Sequence, residues 1–211
     1  LNIMKRLQEY DKIIIQIEKQ INLGNFNSNS YGEELNIELA IAYMRAKDFN
    51  RAKNLFNDII ETTTKKGIKC QAYYWLGNIS LINEFELELA TEYFNLVNET
   101  MRSSDYSKQV NIHLKDIESY RVILEQYNFL LDNDDYQQIN DDNLMPMPDE
   151  PNLEPNKDSL LFVIAEKLYF DFAQIDLSIE KYKQLISNYP NSNYIFRAKK
   201  IINYLQNDNL I

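Results

Sequence analysis

The chain has 211 residues, 45% of them hydrophobic, which is enough for one domain or one repeat array with a sizeable core and too apolar for wholesale disorder. The formal net charge of −10 repels a polyanion such as DNA or RNA, and no Lys/Arg-rich helix or aromatic–basic interleaving restores nucleic-acid binding locally. Four glycines and five prolines are too few for a many-stranded β fold, which needs a turn about every 8–12 residues.

Ile3, Leu7, Tyr10, Ile14, Ile17 and Ile21 recur at spacings of four and three, one apolar stripe of a first helix. Gly24 is placed to cap its C-terminus, and Asn27–Tyr31 reads as a loop rich in capping residues. Helices are expected over 33–47 and 49–64, then over 68–82 and 86–102, then over 105–131. Two of the helix-to-helix turns look one residue long. Cys70, the only cysteine, excludes an internal disulfide and reads as a small buried spacer. After Leu131 the composition changes. Asp132–Asp135 opens an acidic stretch, and Pro146, Pro148, Pro151 and Pro155 forbid one unbroken helix over 132–157, which reads as a linker or insertion. Helices resume over 158–173, 176–188 and 192–206. Asn191-Ser192-Asn193-Tyr194 enters the last one much as Ser28-Asn29-Ser30-Tyr31 leads into the second. On that basis the first helix is expected to be the second half of a repeat, and the last a lone terminal cap. No apolar run approaches the roughly 18–20 residues of a membrane span. No signal peptide is visible, though a chain that starts at Leu1 leaves a removed leader open.

One motif recurs along the chain. Leu39-Ala40-x-x-Tyr43 precedes Ala52-x-x-x-Phe56-x-x-Ile59, and Tyr73-x-x-Leu76-Gly77 precedes Ala90-x-x-x-Phe94-x-x-Val97. Phe162-x-x-Ala165 precedes Ser178-x-x-x-Tyr182-x-x-Leu185, closed by Tyr189-Pro190. A small residue on one helix faces a small-then-aromatic pair on the next, and the spacing of four keeps that pair on one face. The pattern resembles the tetratricopeptide repeat, a helix–turn–helix unit of about 34 residues. The resemblance implies an all-α fold, an α-solenoid of antiparallel hairpins, with an array over 1–131, an acidic Pro-rich insertion over 132–157, and a hairpin plus capping helix over 158–211. The irregular spacing and the Tyr-Pro-Asn-Ser-x-Tyr junction are similar to the bacterial cell-envelope group, which includes the lipoprotein of the outer-membrane β-barrel assembly complex and the Tol–Pal coordinator protein. That likeness implies periplasmic or outer-membrane peripheral location, with cytoplasm the alternative.

The resemblance also implies a non-enzymatic scaffold that binds a protein or peptide segment on the concave faces of the first helices. By register the contacts are Ile37, Ile41, Met44 and Arg45 on one helix and Tyr74, Asn78 and Leu81 on the next. Gly77-Asn78 is similar to the Gly-Asn of repeats that clamp a peptide's C-terminal carboxylate. That clamp needs a Lys one turn before the Asn, where this chain has Tyr74, so no clamp is expected. Trp75 reads as a core or interface anchor. His113, the only histidine, cannot assemble a zinc set with one remote cysteine. Asp132–Asp135 lacks the Gly and closing Glu of a calcium loop. No nucleophile–base pair, phosphate loop or dinucleotide fingerprint occurs, so no cofactor, metal or catalysis is expected. Two other readings stay open. The chain is a structural segment of a longer repeat protein, or a helical-bundle enzyme whose carboxylates converge in space.

Overall fold

The computed structural model describes residues 2–23, 29–140 and 156–208. Every regular element among them is helical: α1 (Asn2–Asn22), α2 (Asn29–Arg45), α3 (Phe49–Thr62), α4 (Lys66–Asn78), a π-helical turn (Ile79–Glu84), α5 (Leu87–Thr100), α6 (Asp105–Asn140), α7 (Lys157–Phe170), α8 (Ile175–Asn188) and α9 (Ile195–Asp208). They form two compact units, Leu1–Leu114 and Lys115–Ile211, divided within α6. In the first unit α1 packs on α2, α2 on α3, α3 on α4 and α4 on α5, and α2 also lies against α4. In the second, α7 packs on α8 and α8 on α9. Neighbours joined by such short turns run antiparallel, the packed-hairpin arrangement of an α-solenoid.

The second helix of each hairpin buries the same three positions. These are Ala52, Phe56 and Ile59 on α3, Ala90, Phe94 and Val97 on α5, and Ser178, Tyr182 and Leu185 on α8. Spacings of four and three put each trio on one stripe, which faces the first helix of the pair. The crossing is closest at Gly77, where a Cβ would fall 2.6 Å from Phe94 Cδ1 and nearer still to Cε1. Phe94 is fully buried there and stacks on the His113 ring, centroids 5.3 Å apart. In the third hairpin Ser178 replaces the small apolar residue, and its Oγ donates to the Ala165 carbonyl at 2.8 Å. A buried hydroxyl is thus satisfied by the facing helix's backbone.

The three turns inside these hairpins also share a conformation. Lys47, Phe85 and Ala173 are left-handed, with φ of 64°, 54° and 55°. Each is followed by an N-cap residue, Asp48, Glu86 or Gln174, with φ near −90°. Each stands five residues before the small residue of the second helix. The turns close by backbone bonds from Asp48 N to Tyr43 O (2.9 Å), Glu86 N to Ser80 O (2.8 Å) and Gln174 N to Leu168 O (2.7 Å). None of the three is glycine, so each carries the steric cost of Cβ against the carbonyl.

Several boundaries differ from the sequence reading. The hairpin turns Ala46–Asp48, Phe85–Glu86 and Asp171–Gln174 are all longer than one residue, because the chain needs the left-handed residue and its cap to reverse. The helix expected over 68–82 changes to a π turn after Asn78. Ile79, Ser80 and Leu81, the first three residues of this turn, are all buried. The helix expected to stop at 131 continues through Asp132–Asp135 to Asn140, since no proline occurs before Pro146. The rest of the expected insertion, 141–155, and the Gly24 cap lie outside the described residues. Asn29–Tyr31 is helical, whereas Ser192–Tyr194 is a turn in which the Tyr194 N–H donates to Ser192 Oγ at 3.1 Å, so the shared sub-motif does not share a structure.

Two expectations follow. Gly77→Ala forces the new methyl against a buried ring and should cost about 1–3 kcal/mol, while Phe94→Ala should cost roughly 3–5 kcal/mol, both read from urea midpoints. Gly77→Ala combined with Phe94→Leu should cost less than the sum of the two single changes, because they share one contact. Lys47→Gly and Ala173→Gly, at exposed left-handed positions, should each raise stability by roughly 0.5–1 kcal/mol, relief of strain exceeding the added chain entropy. A lowered midpoint would show the turns to be unstrained.

Candidate functional site

The first helices α2 and α4 and the opening turns of α6 make one face of the N-terminal unit. Ser104 starts α6, its Oγ accepting from the Ser107 N–H at 3.1 Å, as an N-cap does. Cys70 Sγ sits 3.3 Å from the same Oγ, buried, and so serves as the small spacer its sequence context implied. Ser107 Oγ donates to Asn98 Oδ1 at 2.7 Å, which ties α6 to α5. With α6 held there, Tyr74 of α4 reaches across: its hydroxyl donates to Gln109 Oε1 at 2.6 Å. Its ring lies 4.9 Å from Tyr106 and edge-on to Trp75 at 5.1 Å. The Tyr106 phenol is held above its ordinary pKa, chiefly by burial, with Tyr74, Cys70 and the Glu38 carboxylate adding to the effect. It is therefore neutral at physiological pH.

Beside this aromatic cluster, Glu34, Leu35, Ile37 and Glu38 of α2 and Gln71 of α4 line an open cleft of about 310 Å³. Glu34 and Glu38 are exposed and one helical turn apart, while Leu35 and Ile37 are buried. Glu33, next in sequence, has a different task. It accepts from Thr63 Oγ1 at 2.9 Å and lies 2.8 Å from Lys65 Nζ, bracing the cleft-bearing α2 against the turn that leads into α4. Lys65 and the Thr63 hydroxyl hold its carboxyl below the usual glutamate range.

The seven residues expected to contact a partner divide sharply. Leu81 is fully buried and Ile37 and Ile41 nearly so, so these three are chiefly packing residues, with Ile37 forming cleft floor. Leu81 turns inward because the π turn rotates it away from the stripe that an α-helix would have continued. Met44 is half-buried against the core. Arg45 is exposed at the end of α2. Asn78 is half-buried, and its Nδ2 donates to the Tyr74 carbonyl at 2.8 Å at the α-to-π switch. Tyr74 has a buried ring and a polar edge bonded to α6. The sequence reading missed Glu34, Glu38, Gln71, Tyr106 and Gln109. A signal was present, for Glu34, Glu38, Ile41 and Arg45 fall at spacings of four, three and four, and Gln71, Tyr74 and Asn78 continue the same rule on α4. Trp75 packs on the core formed by α2, α3 and α4. The described residues contain no group of three or more His, Cys, Asp or Glu arranged to hold a metal, and no helix among them is long and apolar enough to cross a membrane.

Compared with models of known protein families, residues 161–192 match the tetratricopeptide repeat. The match spans the α7–α8 hairpin and its exit turn, the third copy of the motif. No curated protein matches the chain at a significant level.

The Glu33 brace gives a signed pH dependence. A carboxyl whose folded pKa is depressed contributes stability above its unfolded pKa and loses that contribution as pH falls through the folded value. Glu33→Gln should therefore lower the thermal midpoint at pH 7. The gap to the parent should hold constant down to about pH 5 and close as pH drops below the ordinary glutamate range. Thermal melts between pH 3 and pH 8 check this.

Proposed function

We propose that the chain is a non-enzymatic protein-interaction module that binds a polypeptide segment along the face made by α2, α4 and the start of α6. One observation carries the reading. The first helices of successive hairpins lie side by side and present a row of polar and aromatic groups around an open cleft, while the core residues behind them are closely packed. A stack of this kind offers an extended surface to which an extended or helical peptide can align. Glu34, Glu38, Gln71, Asn78, Arg45 and the edge of Tyr74 are the contact groups. Ile37, Ile41, Met44 and Leu81 support them from below. The Tyr-Pro-Asn-Ser-x-Tyr junction at Tyr189–Tyr194 supports a bacterial envelope setting, which cell fractionation with the native gene would test.

The test is site-specific photocrosslinking. A photoreactive side chain at Asn78 should capture a polypeptide partner. The same group at Glu99, exposed on the second helix α5, should not. Arg45→Ala and Tyr74→Phe should each weaken the recovered partner by about 5- to 30-fold, roughly 1–2 kcal/mol. Capture at Glu99 in place of Asn78, with both variants unaffected, would move the interface to the other side of the hairpins.

A further inference from the structure

The last described helix, α9, buries a single stripe, Ala198, Ile202 and Leu205, and packs on α8. By contrast α7 buries Leu160, Leu161 and Phe162 in succession, so it is covered on more than one side. A helix that only closes an array shows a polar outer face to water. The outer face of α9 is different. Phe196, Lys200, Asn203 and Asn207 follow at spacings of four, three and four, opposite the buried stripe, with Lys199 and Tyr204 on the flanks. Phe196 is 71% exposed, the highest value of any large hydrophobic side chain among the described residues, and Tyr204 is 59% exposed. Lys200 Nζ stands 4.5 Å from the Phe196 ring centroid.

The charge of this face is also opposite to that of the chain. Arg197, Lys199 and Lys200 stand on α9 with no acid before Asp208, in a chain of net charge −10. Arg197 is engaged, its Nη2 2.7 Å from Glu166 Oε1. Lys199 and Lys200 are exposed and without an ion-pair partner among the described residues. An aromatic ring beside two unpaired cations fits an occupant that brings both carboxylates and apolar groups. The carboxylates meet the ammonium heads, and an apolar side chain covers the ring. The occupant is also narrow. Screening acts over about 8–10 Å at physiological salt, so a partner confined to α9 meets the lysines, while an extended polyanion or an anionic membrane also faces acidic surface. The stripe from Phe196 to Asn207 is about 17 Å long, the footprint of one packed helix. We propose that the outer face of α9 docks an acidic amphipathic helix of a partner protein, in addition to the peptide face of the N-terminal unit.

The probe is a synthetic helix with Leu on one face and Glu on the other, titrated into the isotope-labelled full chain and followed by amide chemical shifts. The same peptide with Lys in place of Glu is the control. The Glu peptide should shift the amides of α9 from Phe196 to Asn207, and the Lys peptide should leave them in place. Lys199→Glu/Lys200→Glu should weaken the Glu peptide by about tenfold or more, and Phe196→Ser by about fivefold. Both variants should keep the parent's helical circular dichroism, because all three sites are exposed. An α9 response equal for the two peptides, or one that survives the charge reversal, overturns the acidic occupant. No α9 response to the Glu peptide overturns the docking surface. If phosphatidylglycerol vesicles bind, or the chain self-associates in sedimentation equilibrium, and the charge reversal abolishes that while the Glu peptide does not bind, the face belongs to a lipid surface or a second copy and the proposal is wrong.

Discussion

Close approach of two helices is possible only where one of them has almost no side chain, and the hairpins are built on that constraint. Gly77 lets the Phe94 ring lie against the α4 backbone, and the ring in turn stacks on His113 of α6. Three helices are thereby set by one contact. The same arrangement with Ala40, Ala52 and Phe56 organises the core shared by α2, α3 and α4. In the C-terminal unit the logic is chemically modified. Ser178 adds a hydroxyl to the crossing and bonds it to the opposing carbonyl, which preserves proximity and adds direction. Interiors packed to this density transmit any added methylene to neighbours, which is why a single carbon at Gly77 matters.

The turns accept strain that the crossings require. Each hairpin reverses through one left-handed residue, and the chain uses Lys, Phe and Ala there. Cβ strain at such a position is of order 1–2 kcal/mol, small beside the burial of a Phe or Tyr but not beside the net stability of a domain. The π turn of the second hairpin is a related adjustment. It holds three consecutive residues in the core, and at its start the Asn78 side chain donates to the Tyr74 carbonyl. Lys53 and Glu84 pair across from α3 to this turn and hold its far end. The irregular segment is thus supported by both a packed interior and a partly buried ion pair.

The surface that results is unevenly neutralised. Glu33 is drawn into the scaffold by Thr63 and Lys65, while Glu34 and Glu38 face the cleft without a counter-charge among the described residues. The net charge of −10 points the same way, toward partners that bring positive charge. Contacts between partly hydrated charges are weakened by salt, so binding along this face should respond to ionic strength as well as to shape.

Helix number, helix order and the partners within each hairpin were legible in the residues, because apolar spacing of three and four specifies a buried stripe wherever the helix ends up. The buried trios of α3, α5 and α8 and the crossing of Gly77 with Phe94 needed nothing more. Which of the remaining faces is open was not legible. Ile37, Ile41 and Leu81 look like surface hydrophobics of an amphipathic helix, yet α2 is covered on more than one side by α1, α3 and α4, so its apolar positions point inward in several directions. Leu81 was misplaced for a further reason: the π turn changes the angle per residue, and no local residue preference announces that change. The cleft of Glu34, Glu38 and Gln71 joins residues more than thirty positions apart. Its existence depends on how closely α2 and α4 approach, and that distance is decided by the side chains packed between them.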